Sequence, residues 1–271
     1  KIGLLLSSSA LGQMIPFIFI PVLSRIYTPV QFADFGFFLL AVGILSTFCT
    51  LKLDQAILMP SSIKEASEIA QSIISLLIIV SIIGFFLIYY ISNWNWILSL
   101  ACAVTGFTTG MSIILIQLSN RMNFSKVIAN HKLVLGGSVS GFQVGFSGLW
   151  YGMIIGKAFG DLLSLIPYIK VFSRILPYAK KINYIDLWKQ YKSFPIYVLP
   201  YTLLLLISNR LPLVYFSSIG KADFSGEYEA IFRIGFAIVT LVGQVVYFTF
   251  SKELVDRLQK TVEYLLPIPM K

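Results

Sequence analysis

Three cations, Lys157, Arg210 and Arg233, fall within stretches that are otherwise apolar. Arg25 closes one apolar run and Lys52 closes another. Two acids stand near them: Asp161 four residues after Lys157, and Glu229 four residues before Arg233. Residues four apart on a helix are neighbours one turn apart, so each acid is placed to pair. A charge near the centre of a bilayer costs about 2.5–3.5 kcal/mol on insertion scales, so intramembrane charges call for a partner or a ligand. Lys157, Arg210 and Arg233, with Arg25 nearer the outer end, line a cationic cavity if they face one another. An arginine presents a planar fork of donors that matches phosphate, and a membrane-resident anion such as a lipid pyrophosphate is the natural guest. Asp161 and Glu229 would then serve ion pairing or coupling. Self-neutralising pairs and side chains that snorkel to the surface are the structural alternatives, above all for Lys52 and Asp54 at the inner face.

Signatures of catalysis are missing. There is no carboxylate pair in an outside loop, no Ser/His/Asp set, no HExxH and no P-loop. The expectation is a protein that is not an enzyme and uses no cofactor and no metal. Without a P-loop, any energy comes from an ion gradient or from the substrate gradient. Cys49 and Cys102 lie in apolar runs without metal-ligand spacing, as buried small residues do. His131 falls beside Lys132 in a basic stretch and is expected to be a solvated loop histidine.

The elements that must hold these groups are membrane helices. The 271 residues are 57% hydrophobic and 12% charged, against about 25% charged in soluble domains. Residues Ile69 to Asn120 contain no Asp, Glu, Lys or Arg. Since about 20 apolar residues cross a bilayer, that run holds two spans. A cytosolic enzyme, a secreted disulfide scaffold and a nucleic-acid-binding domain are excluded, and the net charge of +9 belongs to cytoplasmic loops. Charge-free runs predict eight helices, at 2–24, 34–51, 69–91, 96–118, 133–149, 151–172, 194–217 and 228–250. With the N-terminus inside, 16 of the 21 Lys and Arg residues fall in inside segments, and only Arg25 and Lys221 fall outside. That is the positive-inside pattern. The basic, aromatic stretch 173–192, with Tyr178, Tyr184, Trp188 and Tyr191, is expected on the anionic inner leaflet. Asn93 to Trp96 and Gly148 to Tyr151 read as turns with interfacial aromatics.

Glycines recur every four residues at Gly137, Gly141 and Gly145, and again at Gly152, Gly156 and Gly160. This predicts a hairpin of two closely approaching helices. Pro16 and Pro21 interrupt the first helix; Pro195, Pro200 and Pro212 interrupt the seventh. Bent helices at matching positions point to a two-repeat transporter. The offsets Pro21 to Gly36 and Pro212 to Gly226 are fifteen and fourteen residues, weak direct support for the repeat.

Four segments resemble the polysaccharide (O-antigen) repeat-unit flippases of the multidrug/oligosaccharidyl-lipid/polysaccharide exporter superfamily. Arg25-Ile26-Tyr27-Thr28-Pro29-Val30-Gln31-Phe32-Ala33-Asp34-Phe35-Gly36 is similar to that family's first outside loop. Leu51-Lys52-Leu53-Asp54-Gln55-Ala56-Ile57, followed by Pro60 and Glu65-Ala66, resembles the end of its second helix. Tyr191-Lys192-Ser193-Phe194-Pro195 with Leu199-Pro200 resembles the start of its seventh, and Gly226-Glu227-Tyr228-Glu229-Ala230 through Arg233 to Gly243-Gln244 its eighth.

The resemblance implies an all-α, two-lobed transporter of twelve to fourteen helices. It would carry undecaprenyl-pyrophosphate-linked oligosaccharide units between leaflets of the bacterial inner membrane by rocking around a cationic cavity. It implies roles for Arg233, Arg25 and Lys52; Lys157, Asp161 and Arg210 rest on the residues alone. On this reading, 1–172 is the first lobe, 173–193 a cytoplasmic connector and 194–271 the start of the second lobe. The expected partners are the lipid-linked oligosaccharide, anionic inner-leaflet lipids, and a polysaccharide polymerase with its chain-length proteins. The chain reads as part of such a transporter, with a complete eight-helix protein as the alternative. A cation-coupled multidrug exporter would prefer acidic cavity residues. A membrane-embedded glycan polymerase would need a large outside loop.

Overall fold

The computed structural model describes residues 2–60, 62–91, 95–175 and 189–235, with single positions 239, 243 and 250 beyond them. The chain is an all-α polytopic membrane protein, with no strand among the described residues. In chain order the helices are α1 (Ile2–Ile26), α2 (Pro29–Thr50), α3 (Ile63–Ile91), α4 (Trp96–Arg121), α5 (Ser125–Gly145), α6 (Gly152–Leu163), α7 (Ile169–Ile175), α8 (Leu199–Ser218) and α9 (222–235). A 3₁₀ turn at Leu53–Leu58 follows α2, a second at Ile166–Tyr168 joins α6 to α7, and a π turn at Phe194–Val198 leads into α8. Among the described residues, five stretches are long and apolar enough to cross a bilayer: Pro29–Thr50, Ile63–Tyr90, Trp96–Arg121, Gly152–Ser173 and Phe194–Ser218.

The first seven predicted helices occur in order, the sixth broken into α6, the 3₁₀ turn and α7, and the eighth is described only to residue 235; several begin earlier than the charge-free runs suggest. Helix α2 starts at Pro29 rather than 34. Thr28 caps it in a reciprocal capping box with Gln31, and Pro29 is preset for the first turn. Helix α3 starts at Ile63 rather than 69, where the Ser62 hydroxyl accepts from the Glu65 amide at 3.1 Å. Helix α4 starts as expected, with Asn95 accepting from the Leu98 amide at 2.9 Å. Helix α9 is helical from 222 rather than 228. First turns are polar because their amides need side-chain acceptors, so a search for charge-free runs trims them. Asn93 and Trp94, most of the basic stretch 173–192 with Tyr178, Tyr184 and Trp188, and most of the chain after residue 235 lie outside the described residues. Tyr191 is described, and it is buried beside Phe194 in an apolar cluster rather than spread on a surface.

Helix α5 departs furthest from expectation. It begins at Ser125, not 133, so His131 and Lys132 are helical and buried, not in a solvated loop. Its polar side chains turn inward. His131 Nδ1 donates to the Ser164 carbonyl at 2.7 Å, and its ring lies 4.8 Å from that of Tyr168. The Gln143 amide donates to the Met153 carbonyl at 3.1 Å, and Tyr27 donates its hydroxyl to the Gln143 carbonyl at 2.6 Å. Away from water each such group needs an internal partner, and this is what fixes α5 between α1 and α6.

The close approaches are made by one glycine row, not two. A side chain on Gly156 would meet the Gln143 backbone nitrogen at 2.6 Å, and one on Gly160 would meet Val139 Cα at 2.6 Å. Gly152 presses on the Phe146 carbonyl. Gly137, Gly141 and Gly145 have nothing within 4 Å and face outward. On α5 the close contact is Gly136, against Gly12 of α1. The α6 glycines receive full-sized α5 residues, so a facing glycine row is not required.

Helix α8 runs antiparallel along α2. Gly43 abuts Leu206 and Gly36 abuts Leu213, seven residues apart on each helix. We expect Gly156→Leu to overpack the α5/α6 contact by about 1–3 kcal/mol and lower the melting temperature in detergent by several degrees. Gly141→Ala should leave it unchanged. Equal melting curves would contradict the one-sided approach.

Candidate functional site

Helices α8 and α9 form a hairpin through Gly220, whose φ of 75° suits glycine. Two bonds fix its register. Ser225 donates to the Leu213 carbonyl at 2.9 Å, and Tyr228 donates to the Asn209 carbonyl at 3.2 Å. That register carries Arg210 of α8 to Glu229 of α9, where Nη1 pairs with Oε2. Glu229 is fully buried. The carboxylate also faces α2, since a side chain on Gly36 would come within 3.0 Å of its Oε2.

Aromatic faces hold the two guanidiniums. Arg210 lies over the Phe232 ring at 4.7 Å, and Arg233 lies over the Phe35 ring of α2 at 4.7 Å. Such stacking on an aromatic face strengthens where water is excluded. The cluster holds two arginines and one carboxylate, a net charge of +1. Arg233 Nη1 and Glu229 Oε1 are buried without hydrogen-bond partners among the described residues. An ionic donor left in that condition is costly, so an anion that accepted from Arg233 would relieve it.

A second pair lies on α6. Lys157 Nζ is 2.6 Å from both oxygens of Asp161, and Thr109 of α4 donates to Oδ2 at 3.5 Å. The side chains are 21% and 4% exposed. Ser164, whose carbonyl His131 grips, caps the helix end by donating its hydroxyl to the Asp161 carbonyl at 2.6 Å.

A family model described as "polysaccharide biosynthesis protein" matches residues 1–251. The chain belongs to that family. No curated protein and no solved structure gives a significant match. At the level of this polysaccharide biosynthesis family, the chain is a multi-pass membrane protein with a role in polysaccharide synthesis or transport.

Within this family member the expected cations are grouped as follows. Lys157 and Asp161 pair as their spacing suggested. Glu229 bonds to Arg210 rather than to Arg233, its neighbour one turn on, because Arg233 turns away onto Phe35. Arg210 and Arg233 share one cluster. Arg25 is exposed at the end of α1, and Lys52 is half-buried beyond the far end of α2. The 22 residues of α2 separate those two by about 33 Å at 1.5 Å per residue, so no single ring contains both. Phe35 and Phe232, the rings under the guanidiniums, were not singled out, since an aromatic in an apolar helix carries no mark in sequence. The Tyr228 clamp was missed for the same reason.

Breaking either pair strands a buried charge, which costs about 3–5 kcal/mol. Lys157→Ala should therefore be less stable than the double variant Lys157→Ala/Asp161→Ala in the same thermal assay. A double variant no better than the single would remove the pair's energetic role.

Proposed function

We propose that this chain moves a lipid-linked, pyrophosphate-bearing oligosaccharide unit between the leaflets of a bacterial inner membrane, for assembly of O-antigen, capsule or exopolysaccharide. The observation that carries the reading is the net positive cluster of Arg210, Glu229 and Arg233, buried at the junction of α2, α8 and α9 with Arg233 Nη1 unpartnered. A phosphate oxygen is the acceptor such a donor lacks. Family membership supports the same direction.

On this reading α1–α7 form the first lobe and α8–α9 open the second, with the N-terminus in the cytoplasm. Gly36 and Gly226 then fall at matching places in the two halves. Each is a point of close approach to the other half, which favours this arrangement: Gly36 takes Glu229 and Leu213, while Gly226 takes the Pro29 carbonyl. Alternating access would separate and re-form these contacts around the bound head group. The undecaprenyl-pyrophosphate oligosaccharide is the proposed cargo. Anionic inner-leaflet lipids, the polymerase and chain-length proteins are the proposed partners. A drug exporter for cationic compounds would be better served by a carboxylate free of cations, whereas Asp161 and Glu229 are both engaged by cations.

Replacing the chromosomal copy with Arg233→Ala should abolish surface polymer and leave lipid-linked units facing the cytoplasm, while membrane insertion stays normal. Unchanged polymer would sink the proposed role of the cluster.

A further inference from the structure

Asp54 lies beyond the end of α2 remote from the cationic cluster, in the 3₁₀ turn Leu53–Leu58, and is 4% exposed. Its Oδ1 has no hydrogen-bond partner among the described residues. The backbone enters this turn through two consecutive left-handed residues, Leu51 (φ 46°) and Lys52 (φ 58°). Neither is glycine, so the conformation is held by its surroundings. The turn packs against α3, α4 and the π turn Phe194–Val198. Arg121 at the end of α4 clamps it by donating to the carbonyls of Leu58, at 2.7 Å, and of Pro60.

At the ends of these elements nearest the turn, the charged and titratable groups are Lys64, Glu65 and Glu68 of α3, Arg121 of α4, Tyr197 of the π turn, and Tyr191 and Lys192 ahead of it; Tyr89 and Tyr90 of α3 and Cys102 of α4 lie further along their helices. Arg121 is engaged with backbone carbonyls. The charge that acts on Asp54 is Lys52, and no ion pair joins the two among the described residues. A charged carboxylate this buried and this incompletely bonded is unfavourable, and the neutral acid is the stable form.

We propose that Asp54 is a proton-binding site whose occupancy is linked to closure of the inner end of the molecule: the carboxyl is protonated while the turn is packed and ionises when water reaches it. Burial raises the pKa of Asp54 above its ordinary value, with Lys52 acting the other way. The packed turn therefore holds the proton to a higher pH than the opened turn does. Lowering pH favours the packed end. Raising pH from an exposed carboxyl's ordinary value up through the packed value penalises it. This would supply the coupling that a chain without a P-loop needs. The coupling role rests on the transporter reading; the protonation itself does not.

The test is hydrogen–deuterium exchange of peptides covering 51–60 in the full protein in nanodiscs, from pH 5 to pH 8, corrected for intrinsic exchange. The corrected rate in wild type should rise by up to about tenfold per pH unit across the transition. Asp54→Asn should stay protected and flat, and Asp54→Glu should keep the slope if the Asn variant does not fold. A flat wild-type profile, or a slope that persists in Asp54→Asn, would overturn the proposal. So would protection that follows sodium concentration at fixed pH, since that would make the ligand a metal cation. None of these readouts uses export, so failure of the flippase reading leaves them intact.

Discussion

A carboxylate with no exposure inside a membrane protein has to be neutralised by its own neighbours, and Glu229 is neutralised by Arg210. Much of the α2/α8/α9 junction follows from that pair. It brings α9 back along α8 in the register set by Ser225 and Tyr228. It requires α2 to present no side chain at position 36, where any Cβ would press on the carboxylate. And it leaves Arg233 without the acid one turn before it, so that its guanidinium settles over Phe35. One pairing thus sets both the packing of α2 on α8 and α9 and the surplus positive charge beside it.

The same constraint orders the other helices. Helix α5 is too polar to stand in lipid alone, with His131, Lys132, Ser140 and Gln143 all buried. Placed between α1 and α6, it bonds to carbonyls at places where neighbouring backbone is irregular or capped, as at Ser164. Glycines at 12, 136, 152, 156 and 160 let those backbones come close enough for such bonds. Helix α3 does the opposite. Ile79, Ile82, Ile83, Phe86 and Tyr90 are all more than half exposed, as expected where lipid rather than protein is the neighbour.

The class and order of the described helices were legible because hydropathy acts over twenty residues at a time. Their starts were legible too, in Thr28-Pro29-Val30-Gln31 and in Ser62 three residues before Glu65, but a search for charge-free runs discards these signals. His131 shows the limit of that approach. A basic pair next to an apolar run looks like a loop, yet the following turns of α5 bury the same face, and only the inward phase of Ser140 and Gln143 could have shown it. The glycine rows show another limit. Spacing gives the face a residue occupies but not what it faces, so Gly137 and Gly156 looked alike although one meets nothing and the other a backbone. Glu229 and Arg233 were legible as neighbours; that Arg210 would take the acid depended on an α8/α9 register that pairwise spacing does not contain.

Helix α2 is the element common to both buried-charge sites. Near its N-terminal end, Phe35 and Gly36 touch the Arg233 and Glu229 cluster; beyond its C-terminal end, the left-handed Leu51 and Lys52 lead into the turn that buries Asp54. Between them the helix is continuous over 22 residues, and Gly43 keeps its face close to Leu206 of α8. A continuous helix gripped along one side moves as a rod, so a tilt that relieves a charge at one end displaces the other. Anion arrival would stabilise the Arg233 end, and deprotonation would destabilise the Asp54 end. If the proposed anion and proton sites both act on α2, each would bias the same motion of that helix against α8, and the two events would be energetically coupled although no side chain of one site touches the other.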